Sequence, residues 1–143
     1  MRITFAGIAI ALGVTAAMAQ SDPIAERRNI MKGVGAATRT GTQMVRGEVP
    51  FDLAKAKEVL QVYATAAERM PQHFPENSKA GDTTASPKIW ENQADFRARF
   101  ETWAKDIDQA AKATTDAETF KMSFGNVTKA CGACHQTYRI SRS

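Results

Sequence analysis

The chain has 143 residues, 43% of them hydrophobic and 24% charged, with 19 Lys and Arg against 15 Asp and Glu for a formal charge of +4. That is enough apolar material for one modest core. The two signs of charge are interleaved, which marks solvated helix faces and gives no footprint for nucleic acid.

Residues 1–19 read as a secretory signal. Arg2 supplies the positive start, residues 3–17 are largely apolar, and Ala17-Met18-Ala19 is an A-x-A cleavage site. A membrane anchor would need about twenty apolar residues and a stop signal. Cleavage after Ala19 leaves residues 20–143 as one mature domain with no stable membrane insertion, and places it in the periplasm.

Four helices and no convincing strand follow. The first spans about 22–46 and stops at Gly47 and Pro50. The second opens at Asp52 as N-cap, and Leu53, Ala56, Leu60, Tyr63, Ala67 and Met70 recur at spacings of three and four, which predicts one buried stripe. Residues 71–86, with Pro71, Pro75, Gly81 and Asp82, read as a surface loop. Ser86 as N-cap and Pro87 at the first helical position open the third helix, whose stripe is Ile89, Phe96, Phe100, Trp103, Ile107 and Ala110. Thr115 with Glu118 predicts a capping box for the fourth, striped by Phe120, Phe124, Val127, Cys131, Cys134 and Tyr138. Sustained stripes and short connections predict an all-α, antiparallel, up-down-up-down four-helix bundle.

The last helix carries Cys131-Gly132-Ala133-Cys134-His135. Cys-x-x-Cys-His is the attachment sequence of a c-type haem: two thiols on one side of a helical turn add to the porphyrin vinyl groups, and the adjacent imidazole reaches the iron. A dithiol redox site is the alternative, but it belongs at a helix N-terminus within a βαβ pattern that is absent here. A zinc site needs four ligands, and only His73 remains as a distant nitrogen. A disulfide between neighbours on one helix would staple almost nothing. Covalent haem c in the bundle core, held by Cys131 and Cys134 with His135 on the iron, is therefore the expected cofactor. Covalent attachment also agrees with export.

The position of this motif, Arg139 four residues beyond it, the Ser86-Pro87-Lys88-Ile89-Trp90 segment and the run from Arg46 to Asp52 together resemble class II c-type cytochromes, the cytochrome c-prime family. The likeness covers essentially the whole mature chain. Arg27-Arg28-Asn29-Ile30-Met31-Lys32 is most similar to the low-spin c-556 branch, in which a methionine of the first helix is the second axial ligand. In the high-spin branch that position does not ligate and the iron is five-coordinate. The resemblance thus implies Met31 as distal ligand, Arg27 as a propionate partner and Arg139 beside the proximal imidazole.

Bundle geometry agrees with Met31. His135 and Met31 each lie roughly 12 Å in from the same end at ~1.5 Å rise per residue. Met44 falls roughly 20 Å further down and Met122 about as far from His135 along its own helix, so both read as core. Met70 and His73 lie at the correct end and remain rivals, and on packing alone Met31 is as readily core filler. Gly33 and Gly35 are either a weak stretch of helix or clearance for the porphyrin. Trp90 and Tyr138 are candidates to line the crevice, or ordinary core aromatics.

The sequence predicts a non-enzymatic electron carrier with one haem c and His135/Met31 ligation, serving unidentified redox partners of the periplasm or inner membrane. No nucleophile-base pair or paired carboxylates call for catalysis. Its alternative is a five-coordinate protein that binds NO or CO. Arg28, Lys32 and Arg39 on the outer face of the first helix favour a monomer.

Overall fold

The computed structural model describes residues 22–141, so the predicted signal lies outside the described residues. Among the described residues five α-helices follow in order: α1 Pro23–Val45, α2 Leu53–Arg69, a short α3 Lys88–Glu91, α4 Gln93–Ala113 and α5 Ala117–Tyr138. The four long ones form the antiparallel bundle, with α1 on α2, α2 on α4 and α4 on α5. α1 meets α5 over a much shorter stretch, and that gap holds the site.

Each helix is bounded by local chemistry. The Asp22 carboxylate accepts the Ile24 amide at 2.9 Å, with Pro23 in the first turn. The Asp52 carboxylate accepts the Lys55 amide at 3.0 Å, as its N-cap role predicts. Gly47, at φ 71, supplies the left-handed residue that turns the chain out of α1.

Two boundaries differ from expectation. The Ser86 hydroxyl accepts the Lys88 amide at 3.3 Å, but the helix it starts lasts only through Glu91. Asn92, at φ −140, leaves helical geometry and its side chain caps α4 by accepting the Asp95 amide at 3.3 Å. At the next helix, Asp116 forms the capping box with Thr119, replacing the expected Thr115 and Glu118. A carboxylate one residue later is as good an acceptor as a threonine hydroxyl, and Thr119 answers it by accepting the Asp116 amide at 3.0 Å.

The predicted stripes meet in the core. Ala56, Leu60, Tyr63, Ile107, Phe120 and Val127 are buried, while Leu53, expected in the stripe, is 37% exposed. Met44 is core as expected. Met122 is not: it is 58% exposed, on the side of α5 away from the Phe120 and Phe124 stripe. Toward one end the core is a run of rings, with Phe51, Phe120, Phe124, Tyr63 and Trp103 at centroid spacings of 5.3 to 6.4 Å. Gly41 of α1 makes room for this stack, since a Cβ there would lie 2.3 Å from the Phe124 ring.

The segment between α2 and α3 carries 3-10 turns at Met70–Gln72 and Glu76–Ser78. It is tied to the end of α5 by a single bridge, in which the Ser86 amide donates to Tyr138 at 3.0 Å and the Ile140 amide to Thr84 at 2.9 Å. The loop is thereby fixed against the last turn of α5.

Candidate cofactor-binding site

An apolar cleft opens where α1 and α5 part. Its two lobes, of about 310 and 670 Å³, share Met31, Val34, Phe100, Cys131, Cys134 and His135. One lobe runs toward α4 past Arg99 and Trp103. The other runs beneath the loop past Arg27, Met70, Phe74 and Arg139. α5 thus presents both thiols and the imidazole on one wall, and α1 presents Met31 on the other.

The thiols are half-buried and not joined to each other. Burial pushes both above the ordinary thiol range, so they stay protonated at neutral pH. A reactive dithiol has the opposite character, with thiolates favoured at a helix N-terminus. These thiols lie in the second half of α5, where the helix dipole offers no such help. Among the described residues no cluster of three or more His, Cys, Asp or Glu side chains could by itself hold a metal ion, so zinc lacks its ligand set. Desolvation, and then the charge of Arg139, push the His135 imidazole down toward its neutral form, which is the form that ligates.

Packing rigidifies the cleft floor. The Tyr63 phenol is fully buried and pushed up to about 12 by desolvation. Thr38 donates its hydroxyl proton to Val34 at 2.8 Å, so Tyr63 donates to Thr38 at 2.7 Å. Trp103 donates Nε1 to the Val127 carbonyl at 3.2 Å, locking α4 to α5 one turn below Cys131.

Arg27 lines the cleft, yet its forked donors turn to the loop. Nη1 donates to His73 O at 3.0 Å and Ser78 Oγ at 2.9 Å, and Nη2 to Ser78 O at 3.1 Å and Thr83 Oγ1 at 3.3 Å. Its guanidinium lies 4.6 Å from the Phe74 ring centroid and 5.8 Å from that of Trp90. Arg27 therefore braces the loop that walls the cleft, a role long-range in sequence and not foreseen there. Arg139 is exposed at the cleft rim, and its amide donates to the His135 carbonyl at 3.2 Å.

Of the rivals to Met31, Met70 lines only the loop-side lobe, and His73 is held through its backbone to Arg27. Tyr138 does line the crevice. Trp90 does not: its Nε1 donates to Phe74 O and Pro75 O, which turns the indole into the loop. Asp95 and Arg99 of α4 also line the cleft and were not foreseen. Their i,i+4 spacing shows an ion pair, but not that it faces the motif.

A bundle with an apolar cleft, two unpaired thiols and an adjacent imidazole on one helical wall fits a covalently held haem, and this is a haem c protein. Comparison with known proteins agrees. A family described as Cytochrome C' matches residues 22–139. A cytochrome c' of Rhodopseudomonas palustris is 38% identical over 98% of this chain and 96% of its own. A cytochrome c-556 of the same organism is 30% identical over 97% of both. The solved structure of a cytochrome c' from Rhodopseudomonas palustris superposes with a TM-score of 0.82 at 37% identity, covering 87% of this chain and all of that one. The chain belongs to the cytochrome c' family, with haem c attached through Cys131 and Cys134.

Proposed function

We propose that this protein is a periplasmic electron carrier in which His135 and Met31 are the axial ligands. The observation that carries this is the placement of Met31: it faces the cleft from α1 and borders both lobes together with His135 and the two thiols. Haem c bound there supplies one-electron chemistry at iron. The side chains do the rest. His135 offers a neutral nitrogen from α5, Met31 a thioether from α1, and Val34 and Phe100 exclude water between them. A thioether favours the ferrous state, and two fixed ligands keep reorganisation small on electron transfer. Arg27 holds the loop wall, and a propionate within its reach would share donors already engaged there.

Removal of residues 1–19 on export, a monomeric mature domain and partners among periplasmic or inner-membrane redox proteins belong to the same proposal. Among the described residues no helix is long and apolar enough to cross a membrane.

A second reading has an observation of its own. The 38% identity to a cytochrome c' favours a five-coordinate iron that takes up NO or CO, with Met31 as wall only. Visible spectra of the haem-loaded protein and of Met31→Ala decide between them. Low-spin bands that become high-spin in Met31→Ala, with fast CO binding, are expected. High-spin bands in the unmodified protein would establish the gas-binding reading, and low-spin bands persisting in the variant would transfer ligation to Met70 or His73.

A further inference from the structure

The helix wall that carries the haem is gripped by two side chains of α4, Asp95 and Arg99, which meet Tyr138 at the end of α5. Arg99 donates Nε to the Asp95 carboxylate at 2.8 Å and Nη1 to the Ala133 carbonyl at 3.3 Å. Ala133 lies between the two attachment cysteines, so this bond reaches the backbone of the attachment turn itself. The Tyr138 hydroxyl donates to the same Asp95 carboxylate, and the Arg99 guanidinium lies 5.3 Å from the centroid of the Tyr138 ring. Tyr138 is buried against Phe96, 5.2 Å between centroids, and its carbonyl accepts the Ser86 amide. The three side chains therefore close a ring from α4, across the last turns of α5, and back to the residue preceding Phe96.

We propose that Arg99, oriented by Asp95 and Tyr138, is a positioning residue for the haem-attachment turn: it pins the Ala133 carbonyl and sets a cation against the cleft wall, biasing the haem toward its reduced form. Reduction adds one negative charge, which a nearby cation stabilises. Asp95 opposes this effect, but the two charges are not equally placed. Asp95 turns to Tyr138, whereas Arg99 reaches with Nη1 to the Ala133 carbonyl between the two attachment cysteines, so the cation stands nearer the motif than the carboxylate does. The net influence at the cofactor is positive. This holds whether or not Met31 is on the iron, because it concerns the opposite wall.

The test is the midpoint potential of the haem-loaded protein at low ionic strength, where a partly exposed pair is least screened. Arg99→Gln is expected to lower the potential, cutting the reduced-to-oxidised ratio at fixed potential by about two- to fivefold. Asp95→Asn is expected to raise it, and Arg99→Lys, which keeps the charge, to recover most of the loss. Soret circular dichroism, sensitive to how the haem is held, should change in Arg99→Gln. Tyr138→Phe keeps every charge and should leave the potential nearly in place. Shifts of one sign in Arg99→Gln and Asp95→Asn, or no shift in either, would overturn the proposal. If Arg99→Gln fails to mature with haem, Asp95→Asn and Arg99→Lys decide the same question: a raised potential in the first with a nearly parental one in the second supports the proposal, and an unmoved potential in Asp95→Asn sinks it.

Discussion

Gly41→Ala puts the packing of the bundle to a quantitative test. The added methyl would sit 2.3 Å from Phe124 Cε2, 2.7 Å from Cζ and 3.0 Å from Cδ2, well inside the ~3.5–4.0 Å at which carbon atoms rest. The ring must retreat by more than about 1 Å. It has little room, being 6% exposed and stacked 5.3 Å from Phe120 and 6.4 Å from Tyr63. Overpacking of this kind costs about 1–3 kcal/mol, and the severity of the overlap argues for the upper part of that range. Ala returns about 1 kcal/mol through helix propensity. A net loss of about 2 kcal/mol should lower Tm by roughly 8 °C in a domain of this size. Thermal melts of the haem-loaded protein followed by far-ultraviolet circular dichroism measure it. Gly33→Ala is the control: its Cβ would meet nothing, so it should gain about 0.5–1 kcal/mol. Residue 41 lies about 15 Å along α1 from Met31, so the visible spectrum should not move. Gly41→Ala melting at or above the parent, with Gly33→Ala behaving as expected, would refute the close approach of α1 and α5.

Replacing Cys131 and Cys134 together by Ser should leave haem that is extracted when the protein is denatured; pigment that stays with the unfolded chain would contradict attachment through these thiols. The Asp116 carboxyl is held below the usual carboxylate range chiefly by the Thr119 backbone amide and then by its hydroxyl. Its contribution to stability is therefore complete above the unfolded value near ~3.9 and is lost as pH falls through the lower folded value. Asp116→Ala should lower Tm at neutral pH and flatten the acid limb of the stability profile below about pH 4; an unchanged limb would show that the cap carries no proton linkage.

The helices were legible because each buries one stripe, and a stripe repeats at three and four whatever surrounds it. The break at Asn92 was not, since the seven-residue step from Ile89 to Phe96 continues smoothly through it. Only a cap competing with the helix decides there, and neighbouring cap residues such as Thr115 and Asp116 compete in the same way. Met122 could have been placed from its position alone, two residues from Phe120 and two from Phe124, which sets it on the opposite side of α5. The attachment motif was legible because its chemistry is local. Arg27 and Arg99 were not, as their partners stand 46 to 56 and 34 residues away, at distances that no periodicity reports.

The two ends of the bundle bear different responsibilities. Phe51, Phe120, Phe124 and Tyr63 fill one end with rings that interlock without any cofactor, whereas the other end is an opening lined by Met31, Val34 and Phe100. Residue 31 can therefore change identity without disturbing the part of the molecule that keeps it folded. On the proposed ligation, exchanging electron carriage for gas capture would ask for a change only at the open end, while the ring-filled end stays as it is.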